Sequence, residues 1–399
     1  MQLYLTAGVL LALGAAPAAG GFEDPGPHPA GWQAVSFVSG GTIAGRVYYP
    51  ALLDGEGAPA DPGAGYPLVG LVHGQSFTPS DYDLLSLHLA SHGLVVCSVG
   101  PLAGPLHAPP QAAAKMQDML EWFTAESASP ASPFAGLASD APWAVMGHSL
   151  GGSALAHIVA LEPKVRAIVG LAPYYSDAPD LAEKLAAFSG ANLTVAGAND
   201  FVVPPAEHAY PFYLDASHQG RSVYVEIEGT SHYGSLDEWI PGVTDPLPWV
   251  EQHRIHRKVV TAFLLAQSLG LEDSYAAILG EGGSAEPFAR ECSSADPPLW
   301  VLASELAHGL AAGLGGRPHD PAWIALSALP GSTATRAGTL GLDPAGMRFV
   351  YTGDLGPEGC AEVLAALPAL PAGQTLYFQG LALHPEGAAL TRTATFVAP

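Results

Sequence analysis

The run Trp143–His157, WAVMGHSLGGSALAH, sets a serine between glycines where an apolar stretch gives way to a helical one. The pattern G-x-S-x-G, here Gly147, Ser149 and Gly151 with Gly152 beyond, is the sequence form of a strand-to-helix elbow that exposes a serine hydroxyl. A hydroxyl attacks a carbonyl well only when an imidazole takes its proton, and that imidazole needs a carboxylate to hold its tautomer and stabilise its charge. The chain order expected for such an elbow is serine, acid, histidine. Downstream of Ser149 the run LTVAGAND ends in Asp200, and SVYVEIEG leads into GTSHYG, which carries His232. Both residues follow strand-like segments, so both should emerge on the rim where open α/β sheets place their sites. Asp177 and Asp180 remain alternatives for the acid.

Attack on a carbonyl creates an oxyanion that needs two pre-placed donors. One is the backbone N–H of Leu150, the residue after the serine. The other is expected from the loop after PLVGLVHG, where Gly74 lets the backbone come close and Gln75 is the candidate donor. Among the remaining histidines, His148 adjoins the nucleophile and points elsewhere, either lining the pocket or supporting the site from behind. His253 and His256 fall on a helical pattern, where a solvated face would account for them.

These side chains need a scaffold. Between residues 34 and 280 short β-rich runs alternate with helical patterns, which predicts a mostly parallel sheet with helices on both faces. The strand candidates are Thr42 to Pro50, Pro67 to Gly74, Leu94 to Gly100, the WAVMGHS run, Ala167 to Tyr175, Leu193 to Asp200 and Ser222 to Gly229. Several are almost continuously apolar, as strands buried on both faces should be. Helices are expected over Asp81 to His92, Pro110 to Ala125, Gly152 to Leu161 and Glu251 to Ser268. Past about Asp296 short alternating segments separated by Gly and Pro predict a small β-rich, sandwich-like module, preceded by a helix over Leu299 to Leu310. The expected division is therefore a leader over 1–20, a catalytic domain over 21–296 and a C-terminal module over 297–399.

The leader reading rests on MQLYLTAGVLLALGAAPAAG, an apolar core followed by small residues suited to cleavage, and it implies a secreted or periplasmic protein. No later segment has the length of a membrane span, so stable membrane insertion is not expected. Acidic residues outnumber basic ones 37 to 14, giving a formal charge of −23. Such a surface repels phosphate backbones, which argues against a nucleic-acid partner. Of three cysteines, Cys97 lies in an apolar run and reads as a core thiol, while Cys292 and Cys360, in polar and loop-like surroundings, are the candidate disulfide pair.

The motifs AGRVYYP, HGQSFT, LASHGLVV, WAVMGHSLGG, LAPYY, GANDFVVPP and EGTSHYG, in this order over roughly residues 34 to 268, resemble the α/β-hydrolases. Within that fold they are similar to the dienelactone-hydrolase-like group that includes bacterial cutinases and poly(ethylene terephthalate) hydrolases. Carried across by position, the resemblance implies Ser149 as nucleophile, His232 as base, Asp200 as its orienter, and Gln75 with Leu150 as oxyanion donors. It puts Tyr174 where the group often has a substrate-clamping tryptophan. Three departures stand out: Gln75 replaces a common aromatic, Leu150 replaces a frequent methionine, and the usual C-terminal disulfide spacing is missing.

The expected activity is hydrolysis of uncharged carboxylic esters, polymeric ones included, through an acyl-enzyme and without metal or organic cofactor. Phe77, Tyr174 and Tyr233 would supply apolar contact for an acyl chain or ring. A lipase- or chlorophyllase-like esterase, a serine peptidase or amidase, and a non-catalytic binding protein on the same fold are the competing possibilities.

Overall fold

A computed structural model of the chain describes residues 21–100, 108–176, 179–238, 240, 243–294, 296–304, 309–365, 371–385 and 387–398. The leader-like residues 1–20 and Asp177 lie outside the described residues.

Ten strands form one large sheet: β1 (Ala30–Val38), β2 (Thr42–Pro50), β3 (Gly55–Glu56), β4 (Leu68–Val72), β5 (Val95–Val99), β6 (Trp143–His148), β7 (Val165–Leu171), β8 (Ala191–Gly197), β9 (Arg221–Ile227) and β10 (Phe288–Ser294). Their spatial order is β10-β9-β8-β7-β6-β4-β5-β2-β1-β3. Strands β4 to β9 pair in parallel, and β2 and β10 flank that block antiparallel. All residues of β4, β5, β6 and β8 are buried, because helices cover both faces and leave no polar side to the pleat.

One face packs against α1 (Asp83–Ser91) and α6 (Trp249–Leu269), through Leu85, Leu89, Ile255, Val259 and Phe263 on Val69, Leu71, Val96, Leu193 and Val225. The other carries α2 (Pro109–Ala128), α3 (Leu150–Leu161), α4 (Pro179–Ala186) and α5 (Ala209–Ala216), with Met116, Leu120, Leu155, Leu185 and Phe212 on Val95, Val145 and Ile168. This is the α/β-hydrolase arrangement. Helix α6 ends at Gly270, whose φ of 70° supplies the left-handed stop a helix of this length needs.

Among the described residues every strand beyond β10 belongs to a smaller sheet. Strands β11 (Leu299–Ser304), β12 (Gly309–Gly315) and β17 (Cys360–Ala365) form one. Strands β13 (Pro321–Ser327), β16 (Arg348–Asp354), β18 (Thr375–His384), β19 (Gly387–Leu390) and β20 (Ala394–Val397) form another, and β14 (Pro330–Thr335) pairs with β15 (Gly338–Leu342). A separate core of Leu299, Val301, Leu310, Leu314, Ile324 and Phe378 joins the two larger ones.

The helix expected over Leu299 to Leu310 is instead the antiparallel pair β11–β12. Leu299 and Val301 point into this core, whereas Trp300 between them is buried against the large-sheet core, an alternation of period two hidden by helix-favouring Leu, Ala and Glu. Cys292 and Cys360 also correct their expectation. Both lie in strands, β10 and β17, and both are free thiols, as is Cys97.

Candidate active site

The elbow is forced by the glycines around it. Ser149 has φ 52° and ψ −121°, a conformation costly for any residue with a side chain and held here by the packing of β6 and α3 around it. A Cβ on Gly147 would lie 2.3 Å from the carbonyl oxygen of Gly151, and one on Gly151 would lie 2.2 Å from that of Val72. The turn can therefore close only with glycine on both sides of the serine. The backbone of Ser149 is pinned at both ends: its N–H donates to Leu171 O (3.0 Å), and its carbonyl accepts from Gly152 and Tyr174 N–H (2.8 Å each).

Asp200 leaves the end of β8 with its side chain 1% exposed. Its Oδ1 accepts from the N–H groups of Val202 (2.9 Å) and Val203 (2.7 Å), and its Oδ2 accepts from His232 Nδ1–H at 2.7 Å. Three donors thus hold the carboxylate in one orientation, which fixes the proton of His232 on Nδ1 and leaves Nε2 able to act as a base. The loop bearing His232 is tied down from behind. Ser231 Oγ and Gln252 Nε2 both donate to Asp245 Oδ2, at 2.8 and 3.0 Å, and Gln252 also donates to Leu247 O at 2.7 Å.

His232 meets the end of β6 through His148. Their rings lie 4.8 Å apart, and His148 Nε2–H donates to the backbone carbonyl of His232 at 3.0 Å. Among the described residues the His232 ring is hydrogen-bonded through Nδ1 to Asp200 and no hydrogen bond joins Ser149 Oγ to its Nε2, a contact that often tightens only once substrate is bound.

On the other side of Ser149, a Cβ built on Gly74 would fall 3.2 Å from Ser149 Cβ, so the loop after β4 runs alongside this serine. Gln75 is exposed on this loop, and Ser76 adopts φ 67°. Leu150 opens α3, so its N–H has no partner within the helix.

The aromatics are divided. Phe77 and Tyr233 are half-buried with rings 6.3 Å apart, and Phe77 also touches His148. Tyr174, 38% exposed, lies over His208 at 4.9 Å. His148 is wholly buried, so it supports the site from behind and does not line it. Burial drives the proton affinity of its ring well below the ordinary histidine range.

Asp180 sits on α4 paired with Lys184 and takes no part in the site. His253 and His256 are not solvated: both are buried, His256 giving a ring hydrogen bond to Gln252 O. Sequence reasoning missed Tyr82, Asp245 and Gln252, whose roles depend on contacts no motif encodes. It also missed Phe201 and Val202, 71% and 45% exposed beside Asp200. Among the described residues no three His, Cys, Asp or Glu side chains gather as a metal would require, and no helix is long and apolar enough to cross a membrane.

A family model described as PET hydrolase-like matches residues 10–238. The chain is 25% identical over 209 residues to cutinase 1 of Thermobifida cellulosilytica, covering 52% of this chain and 72% of that protein. It is equally identical over the same length to a cutinase of Thermobifida fusca, of which 63% is covered. A bis(hydroxyethyl) terephthalate hydrolase of Streptomyces coelicolor is 26% identical over 201 residues, 50% of this chain and 57% of that protein. The matched region ends within the loop after His232 and contains the elbow, the Asp200–His232 pair and the loop of Gln75. The chain belongs to the PET hydrolase-like family and is a serine ester hydrolase.

Proposed function

We propose that Ser149, His232 and Asp200 form a catalytic triad that cleaves uncharged carboxylic esters, polyesters among them, through an acyl-enzyme. Substrate approach closes the gap between Ser149 Oγ and His232 Nε2. The imidazole takes the hydroxyl proton as Oγ bonds the ester carbon, and Asp200 stabilises the imidazolium. The carbonyl oxygen, now negative, receives the N–H groups of Leu150 and Gln75. Collapse expels the alcohol with the proton held by His232, and a water activated by the same imidazole then releases the acid. The observation that carries this reading is the joint presence of a strained Ser149 and an Asp200–His232 bond at 2.7 Å, linked through His148.

Phe77, Tyr174 and Tyr233, with Phe201 and Val202, offer half-buried or exposed apolar side chains, which suit a neutral acyl or aromatic unit better than an anionic acid. The names of the relatives support polyester and terephthalate ester substrates. Export, supported by the leader-like residues 1–20, and the division into a catalytic domain over 21–296 and a module over 297–399 belong to the same proposal.

The test is a substrate panel from short nitrophenyl esters through triglycerides to polyester film, with a matched anilide and Ser149→Ala. Ester and film turnover should fall by about 10⁶-fold in kcat in the variant, with the anilide untouched by either protein. Anilide turnover matching that of the ester would make the chain an amidase, and activity surviving in Ser149→Ala would remove the triad.

A further inference from the structure

The buried hydroxyl of Tyr82 stands between the two halves of the site. Tyr82 is wholly buried at the end of a short 3-10 turn, Pro79–Tyr82. Its oxygen lies 3.0 Å from Gly74 N and 2.7 Å from His148 Nδ1, and His148 Nε2 in turn lies 3.0 Å from His232 O. The proton positions along this chain are forced. A carbonyl can only accept, so Nε2 of His148 must carry a hydrogen. A buried neutral imidazole has one N–H, so Nδ1 is bare and accepts the Tyr82 hydroxyl proton. That leaves the phenol oxygen as acceptor for Gly74 N–H, which can only donate.

Every donor and acceptor is thus used once, in one direction, from the oxyanion loop to the loop of the base. Burial acts in the same sense at both central groups, raising the phenol and lowering the imidazole, so neither gains or loses a proton near neutrality. A neutral His148 matters because its ring is 4.8 Å from that of His232, where a second positive charge would oppose the imidazolium formed during catalysis. The N–H of Gly74 is also occupied, by the Tyr82 oxygen.

We propose that Tyr82 is a positioning residue: through His148 its hydroxyl sets the spacing between the oxyanion loop at Gly74 and the backbone of His232, and holds His148 in one neutral tautomer. This rests on the triad reading above. Removing the hydroxyl leaves Gly74 N–H and His148 Nδ1 without partners and frees two backbone segments that must agree to within a fraction of an ångström.

The experiment combines kinetics on a short nitrophenyl ester with ¹⁵N NMR of the histidine rings. Tyr82→Phe should lower kcat by about 10- to 100-fold with KM within about twofold. His148→Gln, which keeps a donor for His232 O and breaks the Tyr82 link, should do the same, and the double variant should be no slower than the slower single. In the wild type His148 should show a protonated Nε2, a bare Nδ1 and no titration between about pH 5 and pH 8. Unchanged kcat in a folded Tyr82→Phe, even with a lowered Tm, reduces Tyr82 to packing and overturns the proposal. So do additive losses in the double variant, or a His148 that titrates or carries its proton on Nδ1. The NMR result needs no turnover and stands if Tyr82→Phe fails to fold. A wild type that hydrolyses esters while these outcomes fail refutes the role of Tyr82 and leaves the triad intact.

Discussion

Among the described residues two buried aspartate–histidine pairs are hydrogen-bonded through Nδ1, and only one of them sits beside an elbow. Asp200 and His232 come from loops at the ends of two parallel strands of the large sheet. Asp320 and His384 stand at the end of the β13–β18 ladder in the smaller sheets, also bonded through Nδ1 and also little exposed. Around the first pair are a serine in a strained conformation, a helix N-terminus and a close-running glycine loop. Around the second, His384 Nε2 is buried and meets no partner. The two pairs therefore differ in what the imidazole faces, not in the pair itself. Parallel strands with crossover helices bring loops to one rim, whereas the antiparallel ladder of β13 and β18 joins its pair across neighbouring strands and leaves the second nitrogen buried.

This contrast can be broken by the same substitution at both places. Asp200→Asn should lower kcat on a nitrophenyl ester by about 10⁴-fold with the fold kept, because the amide favours the wrong tautomer of His232. Asp320→Asn should leave kcat and KM unchanged and lower stability by about 1–3 kcal/mol in denaturant melts, by weakening a buried charge-assisted bond. Loss of activity in the second variant, or its retention in the first, would show that the two pairs are not divided as described.

Acid should sharpen the difference further. Burial lowers His88 to about 3 and His256 to about 4, both on the large-sheet side of the molecule. The unfolded chain takes up these protons first, so the stabilisation is complete above about pH 6.5 and is lost as the pH falls toward about 4. Tm should fall over that window, and hydrogen exchange at about pH 4.5 should rise in α1 and α6 before it rises in β13 and β18. Exchange that rises first in the smaller sheets would contradict this assignment.

How far the sequence revealed this structure depended on how local the signal was. The inner strands were legible because an all-apolar run such as β8 has no other home than a sheet covered on both faces. The positions of Ser149, Asp200 and His232 beyond strand ends were legible because those ends mark the rim. The half-exposed antiparallel strands β1 and β10 went unread, since their partly polar faces resemble loops. The pair β11–β12 was hidden by helix-favouring residues that two cores bury on alternate sides. Tyr82 and Gln252 act through contacts across the sheet end, and no spacing within one element announces them. The burial of His253 and His256 escaped for a related reason: α6 is enclosed far around its circumference, so polar positions on it lie inside.

The most direct measurement is covalent labelling with a fluorophosphonate followed by peptide mass spectrometry, because the reagent reacts with a serine only when a base and an oxyanion site converge on it. One adduct per chain on Ser149, abolished in His232→Ala, is the predicted result. A wild-type protein that hydrolyses esters yet carries no adduct on Ser149, or carries it on another serine, would contradict the central claim.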